Sequence, residues 1–115
     1  MDYNQNNVFA KILKGEIPND TVYENNYVLA FNNINPKANI HIVVIPKGEY
    51  STFIDFNTNA SEKEIIEYSK SIAKIIEEHK ISEGCQILSN CGENGGQEVF
   101  HFHTHILSGK KIKLD

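Results

Sequence analysis

Between Val99 and Leu107 histidine recurs at every second position, as His101, His103 and His105, with Phe100, Phe102, Thr104 and Ile106 among the intervening residues. Strict alternation is the period of an extended chain, whose successive side chains point to opposite faces. A strand over Val99–Leu107 would carry all three imidazoles on one face at intervals of about 6.6 Å, while the apolar residues of the other face anchor it to a core. Packing gives no reason for such a row, because each imidazole has two ring nitrogens that need partners. The pattern demands a sheet with one chemically active face.

The rest of the chain supplies that sheet. Ile40 to Ile45 is β-branched except at His41 and closes at Pro46, which reads as a central strand. Thr21–Glu24 and Tyr27–Phe31 read as a hairpin around Asn25-Asn26, where asparagine tolerates positive φ. Gln86–Asn90 is a further strand. Val8, Phe9, Ile12 and Leu13 recur at helical spacing and predict a short helix ended by Gly15 and Pro18. The one long helix opens at Ser61, with Glu64 positioned to complete a capping box, and ends at Lys80. Its stripe is Ile65, Ser69, Ile72 and Ile76, widened by Ile66, Ala73 and Ile75, with His79 as a solvated or capping residue near its end. Tyr50–Phe56 is ambiguous and fits a helical turn. The expected class is α+β: a mostly antiparallel five-stranded sheet, one long helix and one short N-terminal helix.

At 115 residues the chain is one domain's worth, and a formal charge of −4 argues against a general nucleic-acid or membrane-surface binder. Its 11 basic residues are all lysines, so any phosphate site must use backbone N–H groups, histidine or lysine. The longest apolar run, Tyr27–Phe31, is far below the ~20 residues that span a bilayer. The polar N-terminus has no signal-peptide pattern, so a cytoplasmic protein with Cys85 and Cys91 reduced is expected.

Two chemistries suit the histidine row. Histidines two apart on a strand are a zinc geometry, but no carboxylate lies within the strand and a third ligand would be stretched. The alternative is phosphoryl or nucleotidyl transfer to histidine. Neutral imidazole is abundant near pH 7 and nucleophilic, and a neighbouring imidazolium stabilises phosphoryl charge or protonates a leaving group. Upstream, Cys91–Gln97 is glycine-rich, and Gly92, Gly95 and Gly96 at positive φ would turn several N–H groups towards one anion.

The stretch from Asn90 to Leu107 resembles the signature of the histidine triad (HIT) family, His-φ-His-φ-His-φ-φ, with Thr104 a mild departure at one apolar position. Phe9–Pro18 resembles the N-terminal helix of the family's nucleotide-binding Hint branch, and Ala30–Lys47 the block holding a fourth active-site histidine, His41. The resemblance implies one HIT domain over 1–115 and a two-fold dimer formed through the long helix and a neighbouring strand. It also implies a purine nucleotide as ligand, an AMP or GMP derivative, with no metal or cofactor. His103 would attack the α-phosphate and form a nucleotidyl-histidine that water resolves. His105 would stand beside the leaving group, while His101 and His41 orient and polarise the cluster.

By the same resemblance, Asn90 and the backbone of Gly96, Gln97, Glu98 and Val99 would hold the phosphate. Val8, Phe9, Ile12, Phe31, Ile34 and Val43 would line the nucleoside pocket, although core packing explains each equally well. The implied activity is hydrolysis of the P–N bond of nucleoside 5′-phosphoramidates. The alternatives are dinucleoside polyphosphate hydrolysis or nucleotidyl transfer, and a non-catalytic nucleotide-binding interaction module. Three departures bear on the site. Asn33 stands where the family usually has an aspartate accepting ribose hydroxyls; its amide oxygen would still accept. Glu98 replaces a small hydroxyl residue and is expected to turn its carboxylate away from phosphate. The chain closes at Lys113-Leu114-Asp115 without the aromatic tail of some relatives, which bears on leaving-group preference.

Overall fold

The computed structural model describes residues 2–109; the C-terminal Lys113–Asp115 lies outside the described residues. The order is α1 (Val8–Leu13), β1 (Thr21–Glu24), β2 (Val28–Asn32), β3 (Ile40–Pro46), α2 (Phe53–Asn59), α3 (Glu62–Glu78), β4 (Gln86–Leu88), a 3-10 turn at Glu93–Gly95, and β5 (Thr104–Ser108). The strands form one five-stranded sheet in the order β1-β2-β3-β5-β4, every pair antiparallel. The α+β class, the antiparallel sheet and the two expected helices are all present.

The β-branched run behaves as its composition requires. Both faces of β3 are buried, because even and odd positions pack into different cores. Ile42 and Val44 join Val28, Ala30, Ile106 and the helix residues Phe56, Tyr68 and Ile75. Val43 and Ile45 join Leu29 and Phe31 under Phe9, Ile12 and Leu13 of α1. The second face carries the histidines: His41 lies on β3, and His105 pairs with Val43 across the β3–β5 ladder.

Several expectations are corrected. Tyr50–Phe56 is not a single turn: Thr52 caps a seven-residue helix, its hydroxyl accepting from Asp55 N–H at 3.1 Å. The Asn25-Asn26 turn does not use positive φ, since Lys80 is the one non-glycine residue with φ above zero among the described residues. Asn25 Oδ1 instead accepts from Tyr27 N–H at 2.8 Å and Val28 N–H at 2.9 Å, an Asx turn. On α3 the capping box of Ser61 and Glu64 is formed, and His79 is the C-cap, its Nδ1 donating to Ile75 O at 2.9 Å. The buried face is Tyr68, Ser71, Ile75 and Ile76, whereas Ser69 and Ala73 are exposed. Tyr68 displaces Ser69 from the stripe because its hydroxyl finds buried partners, donating to Val44 O at 2.9 Å and meeting Thr104 Oγ1 at 2.8 Å.

The last two strands are shorter than expected. β4 stops at Leu88 and β5 starts only at Thr104. Val44 and Thr104 are the last β3–β5 pair, and two residues beyond Val44 stands Pro46, which has no N–H to continue the ladder. The chain before Thr104 therefore leaves the sheet, and Phe102 N–H donates to Tyr50 O at 2.7 Å instead. His101 and His103 thus precede the regular strand.

Candidate active site

An open cleft of about 500 Å³ lies on the histidine face, lined by Phe9, Asn33, Asn35, Lys37, His41, Leu88, Asn90, Gly96, Glu98, Val99, His103, His105 and Leu107. Three of the four candidate histidines border it. His101 does not: the irregular chain before β5 buries its ring completely, beneath the cleft.

The hydrogen bonds assign each neutral ring a tautomer, because a carbonyl only accepts and a backbone N–H only donates. His103 Nδ1 donates to His101 O at 2.7 Å, so the proton sits on Nδ1 and Nε2 carries a lone pair. His101 Nε2 donates to Pro46 O at 2.8 Å, leaving its Nδ1 to accept from the Tyr3 hydroxyl. On β3, His41 Nδ1 accepts from Lys37 N–H at 3.0 Å, which puts the His41 proton on Nε2. That Nε2 is 2.9 Å from His105 Nδ1 and donates to it, so the remaining His105 proton is on Nε2. The rings of His103 and His105 meet edge to face with centroids 5.1 Å apart. One ring therefore carries a bare Nε2 and its neighbour an Nε2–H.

Burial keeps the cluster neutral. It lowers the pKa of His103 below the ordinary histidine value, and takes His101 to about 4. His105 also falls to about 4, through burial first and then the neighbouring His103 and His41. His41 is lowered by burial and by Lys37. An anion entering the cleft would reverse part of this, since opposite charge favours imidazolium.

The glycine-rich loop turns fewer N–H groups outward than its sequence suggests. Gly92 and Gly96 are at positive φ, but Gly95 is not. The N–H groups of Gly95, Gly96 and Gln97 bond to Gly92 O, Glu93 O and Gly92 O within the loop, so these three are already committed. Gln97 itself is buried: Nε2 donates to Ser51 O at 2.7 Å and Val99 O at 3.0 Å, and Oε1 accepts from Gly92 N–H at 2.9 Å. Its side chain staples the loop rather than lining the cleft. Spacing gave no sign of this role; a glutamine within a glycine-rich turn was the available hint. Glu98 is exposed and stands at the edge of the cleft.

Among the expected nucleoside-pocket residues, Phe9 lines the cleft with its ring edge-on to His103 at 4.9 Å between centroids. Phe31, Ile12 and Val43 belong to the small core beneath α1. Val8 is 39% exposed, and Ile34, between the cleft residues Asn33 and Asn35, is 92% exposed on the loop before β3. Asn33 lines the cleft, but its Oδ1 already accepts from Asn35 N–H at 2.8 Å. Asn90 lies beside Gly96 on the opposite rim. Sequence reasoning did not single out Lys37 and Asn35, the polar residues that complete the rim by His41. Their place just before the central strand was the signal that could have found them.

An antiparallel sheet that presents a bare imidazole nitrogen next to a second imidazole N–H, facing a glycine-turned loop, defines the histidine-triad class of protein. The HIT domain model matches residues 14–112, and the chain belongs to the HIT family. It is 46% identical over 111 residues to an uncharacterised 13.2 kDa HIT-like protein of Azospirillum brasilense, covering 96% of this chain and 91% of that protein. It is 38% identical over 106 residues to the purine nucleoside phosphoramidase of Escherichia coli K12, covering 91% and 88% respectively. The solved HIT family hydrolase of Clostridium thermocellum superposes with a TM-score of 0.87 at 34% identity, covering 97% of each chain.

Proposed function

We propose that the chain, as one HIT domain over 1–115, hydrolyses purine nucleoside 5′-phosphoramidates by two displacements at phosphorus through a nucleotidyl group on His103. The observation that carries this reading is the hydrogen bond from His103 Nδ1 to His101 O, which leaves Nε2 unprotonated at the cleft. Burial keeps the ring neutral, so the nucleophile needs no separate base. In the first step Nε2 bonds to the α-phosphorus and the P–N bond to the leaving amine breaks. His105, charged when the phosphate anion is bound, gives the departing nitrogen its proton and is left neutral. In the second step a water oxygen attacks phosphorus, its proton passes to His105, and the bond to His103 breaks to release the nucleoside monophosphate. The N–H groups of Glu98 and Val99 hold the phosphate oxygens, and Phe9 packs beside the nucleoside. The activity of the E. coli relative supports the choice of substrate.

The test is release of AMP from adenosine 5′-phosphoramidate by wild type and His103→Ala, both in EDTA. The reading expects release by wild type alone; equal release by the variant, or loss of wild-type activity to the chelator, overturns it. If wild type releases nothing, dinucleoside polyphosphates and then plain nucleotide binding are the next substrates and property to measure.

The same reading includes a cytoplasmic homodimer. Among the described residues no helix is long and apolar enough to cross a membrane. Ile87 on edge strand β4 is 55% exposed, and Ile66 on α3 is 51% exposed. Between α2, α3 and β4 runs an apolar groove of about 480 Å³ that includes Phe53, Ile65, Ile72 and Ile87. A second copy would cover that groove and the unpaired side of β4.

A further inference from the structure

The segment before α1 is tied to the body of the protein at several points. Asn7 Oδ1 caps α1 by accepting from Ala10 N–H at 2.8 Å, and Lys14 Nζ donates to Gln5 O at 3.1 Å. Gln5 Nε2 donates to Glu49 Oε1 at 2.8 Å. These bonds carry Tyr3 to the back of the histidine row. Its ring meets His101 edge to face with centroids 5.5 Å apart, and its hydroxyl bonds to His101 Nδ1. Tyr3 precedes the residues matched by the family model, which begin at Lys14.

The direction of this bond is fixed by its neighbours. His101 Nε2–H is already committed to Pro46 O, so Nδ1 of the neutral ring has only a lone pair and the tyrosine hydroxyl must donate. His101 is fully buried, and no other group bonds its Nδ1 among the described residues. Without the hydroxyl a buried acceptor would be unsatisfied, a cost that frees the ring to turn about Cβ–Cγ and seek another partner for Nδ1. Rotation gives up the bond to Pro46 O, and the backbone of His101 is then held less firmly. The carbonyl of that backbone is the acceptor for His103 Nδ1.

We propose that Tyr3 is a positioning residue: its hydroxyl fixes the tautomer and orientation of His101, and through the His101 carbonyl it holds His103 with Nε2 unprotonated. The effect on turnover rests on the hydrolase reading above, whereas the effect on the two imidazoles does not. Tyr3 touches neither the cleft nor the reacting atoms, so its removal should act on kcat and not on KM.

Long-range proton–nitrogen NMR of the histidine rings tests this in wild type, Tyr3→Phe and Gln5→Ala, alongside steady-state kinetics. Wild type should show His101 as the Nε2–H form and His103 as the Nδ1–H form. In Tyr3→Phe the His101 Nδ1 resonance should move and His103 should populate its Nε2–H form. The kcat should fall about fivefold, equivalent to about 1 kcal/mol, with KM within twofold. Gln5→Ala removes an exposed contact of the same segment and should leave the ring signals and kcat unchanged. A wild-type His103 tautomer and wild-type kcat in Tyr3→Phe overturn the proposal. So does an equal loss in Gln5→Ala, which would make the effect a general loosening of the segment. Absence of wild-type turnover would count against the hydrolase reading alone, and the NMR comparison would still decide the role of Tyr3.

Discussion

Replacing Gln97 with methionine keeps the length of the side chain and removes its hydrogen bonds. Three are lost: the two donated to Ser51 O and Val99 O, and the one accepted from Gly92 N–H. The site is 5% exposed, so water does not simply replace the amide. Each bond contributes about 1 kcal/mol net, and a buried partner left unpaired costs up to about 3 kcal/mol. Methionine recovers a little apolar burial, so the expected loss is about 3 kcal/mol. At this chain length that is roughly a 12 °C fall in Tm. Urea titration should show a lower midpoint with an unchanged slope, because the folded surface is the same. The function should suffer in parallel, since Gln97 joins the glycine loop at Gly92 to the chain at Ser51 and Val99. KM for a phosphoramidate should rise as the cradle loses its shape. A variant with stability within 0.5 kcal/mol of wild type, taken as roughly the spread of ordinary surface substitutions, and with unchanged kinetics would refute the argument that the side chain holds the loop.

Four further outcomes follow from the same structure. Because burial lowers the pKa of His103, activity should persist below about pH 6.5, the ordinary histidine value, and decline only near the lowered one; a pH–rate profile breaking at or above 6.5 contradicts this. His101 and His105 titrate near 4 in the folded chain but near 6.5 unfolded, so below 6.5 the unfolded state binds more protons and stability should fall from about pH 6.5 towards about pH 4, as urea titrations across that range would show. Tyr68→Phe removes the hydroxyl shared by Val44 O and Thr104 and should cost about 1–2 kcal/mol with little change in KM, because Tyr68 lies across the sheet from the cleft. Ile87→Asp should turn a dimer into a monomer in sedimentation experiments; a wild type that sediments as a monomer would remove the dimer from the account.

Much of this was legible in the sequence because periodicity and chemistry agreed. The β-branched run at Ile40–Ile45 could be little else than a central strand, and Ser61 with Glu64 marked the start of α3. The alternating histidines pointed to the face that carries the cleft. What the sequence could not convey was where the ladder stops. Pro46 carries that information, but only once it is known that the residues before Thr104 would have to pair near it. The consequence is large: His101 leaves the cleft and becomes the support for His103. The same holds for Gln97 and Tyr3, whose partners lie 46 residues away at Ser51 and 98 residues away at His101. Local patterns are silent on such contacts.

The central claim is that His103 Nε2 bonds to phosphorus, and the stereochemical course of hydrolysis tests it most directly. A nucleoside phosphoramidate made chiral at phosphorus with sulfur is hydrolysed in isotopically labelled water, and the configuration of the product is read by phosphorus NMR. Two successive in-line displacements, on His103 and then by water, predict net retention. Inversion would mean that water attacks the substrate directly, and the nucleophilic role of His103 would be wrong.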